Sequence, residues 1–269
     1  MTRRLWIADE FSDDRAALTG AHAAHLSRTL RARVGQEFEV ACGERARRAT
    51  VTSVRDDRVE FILGEDVTEP TIVPITLLLA VFKFDRMEWA IEECTELNVT
   101  TIIPVIARRT EKHLALVAAK RVERWRRIAR EAAEQSRRTS PPQISEPLKL
   151  KQALKQFDDT VIPTEDGDPL HTAIPTADFS PSGGTRGSPR RHVHIVLAEN
   201  EREANLSEIL RTHDDVASLA LAVGPEGGWT ADELQLFRES HWFAASLGDT
   251  ILRAETAAIA ALAIARVEV

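Results

Sequence analysis

The chain is poor in cysteine, with only Cys42 and Cys94 among its 269 residues. That excludes a disulfide scaffold, and neither residue falls in a CxxC or Cys/His spacing, so no metal site is expected. Long apolar runs are missing as well. Nothing approaches the roughly 18 uncharged residues of a membrane span, and the N-terminal MTRRLWIADEF has no signal-peptide core. A soluble protein of a reducing, cytoplasmic compartment is the expectation. Several catalytic signatures are also absent: no GxSxG nucleophile elbow, no HExxH, no P-loop and no GxGxxG turn. The 8 histidines are scattered and suggest neither a metal nor a triad. The formal net charge of -7 argues, taken as a total, against a polyanionic partner.

What is present points to a layered α/β protein. An apolar fraction of 43% supports a sizeable core. Short apolar runs at 5–7, 37–41, 50–54 and 59–63, separated by Gly35, Gly43 and the Asp56, Asp57 pair, predict a small β module. Within it, His22, Leu26 and Leu30 at steps of four predict a helix over 21–33. Residues 65–74, with Pro70 and Pro74, read as a linker. From Ile75 the run ITLLLAVF predicts a strand buried on both faces. Asp85 and Glu88 resemble a capping box for a helix whose apolar face is Met87, Ala90, Ile91, Cys94 and Leu97. Asn98 is a left-handed stop, and VTTIIPVIA completes a βαβ unit, which implies a parallel sheet. A long helix is predicted over 118–135, ending before Pro141 and Pro142. The proline-rich stretch 158–192 reads as an insertion without chemistry. Strands at 194–198, 219–223 and 242–247 then alternate with helices at 204–211, 231–239 and 254–267.

Three motifs have room for chemistry. LAVGPEGGWTADEL (221–234) joins a strand, a turn with three glycines and a helix opened by a Thr230/Glu233 capping box. Ligands bind open α/β sheets beyond the carboxyl ends of strands, and glycines let the backbone come close to them. By spacing alone, a plain strand-to-helix turn fits equally well. SLGDTILRAETAAIAALAI (246–264) places Gly248 and then Arg253 and Glu255 at the mouth of an apolar helix. Those two residues suit a polar ligand or, more commonly, a surface ion pair. The helix, nearly free of charge, should be buried, with part of it available to a subunit interface. REAAEQSRRTSPPQI (130–144) delivers Glu134, Gln135, Ser136, Arg137 and Arg138 into a proline-braked loop. Adjacent arginines can bind phosphate or polarise a carbonyl, although cations at a helix end more often only complement its dipole.

KFDRMEWAIEECTELNVTTIIPVIARRT (83–110), ERWRRIAREAAEQSRR (123–138), GPEGGWTADE (224–233) and LGDTILRAETA (247–257) occur in this order. Together they resemble the SPOUT superfamily of S-adenosylmethionine-dependent RNA methyltransferases, and within it the bacterial 16S ribosomal RNA uridine-N3 methyltransferases, the RsmE family. HLSRTLRARVGQ extends the likeness, more weakly, to the N-terminal module. The resemblance implies an N-terminal PUA-like β-barrel (1–72) followed by a C-terminal SPOUT α/β domain (73–269) with a deep trefoil knot, acting as a homodimer. It further implies a methyl donor held by three loops: Leu197, Ala198 and Glu199; Gly224, Pro225, Glu226, Gly227 and Gly228; and Ser246, Leu247, Gly248, Ile251, Leu252, Arg253, Glu255 and Thr256. Arg28, Arg31, Lys83, Arg86, Arg108, Arg109, Arg137 and Arg138 would then contact RNA. The chain departs from the family, which usually carries glycine at the positions of Phe84, Asn98 and Arg137.

Uracil N3 holds a weakly acidic proton, so methylation there requires removing that proton or stabilising charge on the flanking carbonyl oxygens. Arg138 is expected to contact the base or its phosphate, and Glu134 to accept or orient a proton. Methylation of another ribosomal or transfer RNA position, or noncatalytic RNA binding, are the alternatives. The charge total conceals a local bias: 108–138 holds eleven Lys or Arg against four Glu, whereas 156–178 holds six acidic residues and no Lys or Arg. A basic stretch leading into the substrate loop suits a 16S ribosomal RNA or small-subunit partner, bound in a strongly salt-dependent way.

Overall fold

The computed structural model describes residues 5–43, 45–67, 72–157, 191–199, 201, 204–213 and 215–269. Almost all of the predicted insertion therefore lies outside the described residues. The chain forms two sheets. The first contains β1 (Trp6–Ile7), β2 (Glu10–Phe11), β3 (Arg15–Thr19), β4 (Glu37–Cys42), β5 (Arg45–Val54) and β6 (Arg58–Val67), in the order β1-β4-β5-β6-β3-β2. All pairings are antiparallel except β1 with β4. Because β1 and β2 are nearly contiguous yet lie at opposite ends of that order, the sheet has to curl. Consecutive residues make the closure: Ala8 N–H donates to Ala41 O at 2.9 Å, and Asp9 N–H to Ala17 O at 3.0 Å. Trp6, Leu18, Leu26, Val40, Val51, Val59 and Phe61 fill the interior.

The second sheet is parallel throughout: β7 (Ile75–Ala80), β8 (Thr101–Ile106), β9 (Gln143–Ile144), β10 (Leu148–Lys149), β11 (Arg191–Leu197), β12 (Val216–Val223) and β13 (Phe243–Ala245). Its order is β10-β8-β7-β12-β11-β13, with β9 also on β8. Helices cover both faces. α2 (Phe84–Glu96), α4 (Val122–Gln135) and α8 (Ala254–Glu268) pack on one side, α5 (Leu150–Leu154) and α7 (Ala231–Glu239) on the other. Burial on both faces explains why β7 reads as unbroken ITLLLA, with Leu77, Leu78 and Leu79 fully buried. Each such leucine contributes about 1.5–3 kcal/mol relative to exposure. The remaining helices are α1 (Gly20–Ala24), α3 (Lys112–Val117) and α6 (Leu206–Arg211).

Two helices stop in the same way. Asn98 follows α2 at φ 64° and Val99 N–H reaches back to Cys94 O at 3.1 Å; Arg137 follows α4 at φ 64° and Arg138 N–H reaches Ala133 O at 2.8 Å. These are the left-handed closures that favour glycine. The left-handed conformation at Asn98 and Arg137 is thus a backbone requirement, and Arg137 meets its own while pairing with Glu39.

Several sequence expectations need correction. The Asp85/Glu88 capping box does not form: α2 starts two residues earlier, with Lys83 at the N-cap making no side-chain cap, and Glu88 instead accepts from Arg124 Nε at 2.7 Å. The expected 118–135 helix opens as a 3-10 turn, Ala118–Arg121, before α4. The helix predicted over 21–33 ends at Thr29, its second half widened into a π-helix, and α3 was not anticipated. Strand β11 begins at Arg191, inside the stretch assigned to the insertion.

α4 joins the two sheets. Arg130 Nη1 meets Asp9 at 2.8 Å and its Nη2 donates to Ile7 O at 2.8 Å, while fully buried Glu134 faces His22 Nδ1 at 3.0 Å. Leu5, Ile7, Ala41, Ala46 and Ala133 pack beneath this polar seam.

Two predictions follow from these contacts. Asn98→Ala should lower unfolding stability by about 1 kcal/mol while Asn98→Gly leaves it nearly unchanged, as read by denaturant midpoints. The second concerns His194, which lies among Phe157 and Trp242, and whose pKa burial and then His192 pull down to about 4. Its depressed folded pKa means that the unfolded chain binds the proton more readily. Stability should therefore be complete above about pH 6.5 and fall towards pH 4, by up to about 3 kcal/mol. Urea unfolding at pH 7 and pH 4.5 should show a smaller loss for His194→Gln than for the unmodified chain.

Candidate functional site

In a parallel sheet every following loop leaves by the same edge, and here those loops enclose a cleft of about 450 Å³. The register sets the exits level: Leu79 is opposite Val223, Ala80 opposite Val105, and Leu197 opposite Ala245. Leu197, Ala198 and Glu199 enter after β11, Gly224, Pro225, Glu226 and Gly228 after β12, and the 246–253 loop after β13. Leu197, Val223, Leu247 and Leu252 supply apolar wall. Glu199, Glu226 and Asp249 bring carboxylates, and Arg86, Arg109 and Arg253 bring guanidinium groups. A cleft of this size with a few convergent polar groups suits a small-molecule ligand.

Two glycines are needed where they stand. A Cβ on Gly224 would come within 3.2 Å of the Trp229 indole nitrogen. Gly228 has φ +68°, and a Cβ there would sit 3.5 Å from the Glu199 carboxylate. The loop therefore presents bare backbone to the cleft.

Glu233 fastens this loop from behind. The expected capping box with Thr230 forms, and the carboxylate does more than cap. Its Oε2 accepts from Thr230 N–H at 2.9 Å, and its Oε1 accepts from Arg108 N–H at 2.7 Å on the loop after β8. Next to that contact Arg109 lies over Gly227 and donates to its carbonyl. Two loops far apart in sequence are thereby clamped by one buried carboxylate.

The sequence-predicted residues divide into groups. Most of the proposed donor-binding residues line the cleft, but Gly227, Glu255 and Thr256 do not: Gly227 lies under Arg109, Glu255 is buried behind Arg86, and Thr256 is exposed. Of the eight proposed RNA contacts, Arg86 and Arg109 enter the cleft. Arg28 pairs with Asp56 at 2.9 Å and Arg137 with Glu39, both on the first sheet or its turns. Arg31, at φ 52°, Lys83 and Arg108 are exposed outside it. Glu134 and Arg138 are not brought to the cleft. Glu134 is closed off from solvent within the α4 seam. Arg138 donates to Thr95 O at 2.9 Å, at the opposite end of α2 from Arg86, about 14 Å along the helix. Burial, with Arg266 nearby, lowers the Arg138 pKa to about 10. Trp229, Asp249 and Thr250 line the cleft without having been singled out; each adjoins a residue that was.

Among the described residues no group of three or more His, Cys, Asp or Glu is placed to hold a metal ion, and no helix is long and apolar enough to cross a membrane.

A family model described as an RNA methyltransferase domain matches residues 68–266. A ribosomal RNA small subunit methyltransferase E of Synechocystis is 32% identical over 265 residues, covering 98% of this chain and 77% of the relative. The chain belongs to this family. A family member from Bacillus subtilis is 29% identical over 254 residues, 91% of this chain and 87% of that one. The structure of the Neisseria gonorrhoeae member bound to S-adenosyl methionine is also similar, with TM-score 0.74 and 27% identity, covering 97% of this chain and 95% of that one. A putative methyltransferase from Legionella pneumophila, 22% identical with TM-score 0.72, shares the fold.

The clamp predicts that Glu233→Ala, which leaves the part-buried N–H groups of Arg108 and Thr230 without their acceptor, lowers stability by about 1–2 kcal/mol in urea unfolding. Glu233→Gln, able to accept one of the two, should lose less.

Proposed function

We propose that the chain transfers a methyl group from S-adenosylmethionine to N3 of a specific uridine in 16S ribosomal RNA. The observation that carries this reading is the cleft itself: three consecutive strand exits, with glycine backbone on one side and apolar side chains on the other, in a family whose Neisseria member is solved with that donor. The residues fit the group. Leu197, Leu247 and Leu252 would pack on its adenine, the backbone around Gly224 and Gly228 would hydrogen-bond it, and the Glu199 carboxylate would accept from hydroxyl or ammonium groups. When bound, the donor supplies a methyl on a positively charged sulfur. The deep trefoil knot belongs to this reading, since the loops that the knot would tie are those that meet at the cleft.

The self-closing first sheet is, in the same reading, a PUA-like barrel for RNA occupying 1–72, and 73–269 is the SPOUT domain; the family match starting at 68 supports that division. A homodimer acting in the cytoplasm on 16S ribosomal RNA or the small subunit completes it. The partly exposed face of α8, with Ile259, Ala263 and Val267, is available to a second copy. Glu134 and Arg138 take structural work here, at the seam and at the end of α2, and the chemistry passes to the residues of the cleft.

The test uses 16S ribosomal RNA and small subunits from a strain lacking the family's enzyme. Incubation with the chain and donor should produce N3-methyluridine at a single position by mass spectrometry; methylation elsewhere, or none, would reject the assignment. RNA binding should weaken at least tenfold between about 50 and 200 mM salt despite the chain's net negative charge.

A further inference from the structure

Arg86 lines the cleft with its side chain one-third exposed, and Glu255 stands behind it with its own side chain 3% exposed, N to O 3.5 Å. The second Glu255 oxygen, Oε2, is buried and has no hydrogen-bond partner among the described residues. Burying a carboxylate in this way costs stability, and its place in the first turn of α8, where the helix dipole favours an anion, offsets only part of that cost. What the arrangement provides is a guanidinium held against a buried carboxylate on the wall of the cleft, where a cation partly shielded by protein acts more strongly than in open water. The other two cleft guanidinium groups among the described residues are differently placed. Arg109 is joined to the Gly227 carbonyl, and Arg253 is the exposed N-cap of α8.

We propose that Arg86 is a catalytic residue of the methyl transfer, meeting the negative charge that gathers on a uracil carbonyl oxygen, and that Glu255 is its positioning residue. The proposal rests on the uridine-N3 reading. The N3–H bond breaks with its proton passing to water, and its electron pair spreads onto the flanking carbonyl oxygens, one of which Arg86 faces. That pair then forms the N3–carbon bond to the methyl, and the electrons of the broken carbon–sulfur bond remain on the donor's sulfur. Arg86 thus stabilises a charge that exists only as the proton leaves, as an oxyanion hole does in acyl transfer.

The experiment compares the unmodified chain with Arg86→Gln, Arg86→Lys and Glu255→Gln. It measures steady-state methylation of undermethylated 16S ribosomal RNA or subunits from pH 6.5 to 9.5, calorimetric binding of S-adenosylmethionine, and thermal unfolding. The expected result at neutral pH is a kcat loss of about 100-fold for Arg86→Gln, partial recovery with Arg86→Lys and a smaller loss for Glu255→Gln. Donor affinity should stay within about twofold. The Arg86→Gln deficit should shrink as pH rises towards the ionisation of uracil itself, a change that a purely structural residue would not cause. A deficit constant with pH would overturn the proposal. So would a tenfold weaker donor affinity with kcat intact at saturation, which would assign Arg86 to the donor instead. If the unmodified chain forms no N3-methyluridine, the underlying reading falls and this assignment with it.

Discussion

Seven strands pointing one way impose a constraint from which the rest of the molecule follows. Parallel pairing cannot be closed by tight turns, so strands that lie side by side must be joined by crossovers, and each crossover must begin at the same edge. Register then decides how level those beginnings are. With Leu79 opposite Val223 and Leu197 opposite Ala245, the chain leaves β7, β12, β11 and β13 at nearly one height, and residues remote in sequence become neighbours around a single cleft. A slip of one residue in β12 would turn Leu221 and Val223 from one helical layer towards the other and carry the glycine loop with them.

The charged residues of α4 show how such a scaffold redirects chemistry that looks catalytic in a linear reading. Glu134 lies in a helix end rich in cations, a setting that suits a base near an anion. In three dimensions that helix lies between the sheets, and its carboxylate meets His22 and Arg130 from opposite sides of the seam. Arg130 in turn reaches Asp9 and the Ile7 carbonyl, so Glu134, which a linear reading offers to a substrate, is part of the contact set that orients the first sheet against the second.

Much of the architecture was legible because it rests on local rules. The doubly buried β7, the apolar face of α2, the Asn98 stop and the Thr230/Glu233 box depend on burial pattern, helical period or capping chemistry within a few residues, and each is found. What was not legible depends on partners distant along the chain. Asp85 and Glu88 have the spacing of a capping box, but Arg124, thirty-six residues away, takes Glu88. Glu233 could be recognised as a cap, but not as the acceptor for Arg108, 125 residues earlier. In a linear reading Arg86 suits RNA and Glu255 the donor. Only the packing of α2 against α8 shows that they form one pair.

The ends of the parallel sheet have a consequence for how copies of the molecule can meet. β9 and β10 contribute two residues each at one margin and β13 three at the other. Stubs of this length offer few free backbone groups for another chain to template on, so fibrous stacking through strand addition is discouraged. Orderly self-association is left to helical surfaces, where side-chain shape can discriminate a correct neighbour from a wrong one.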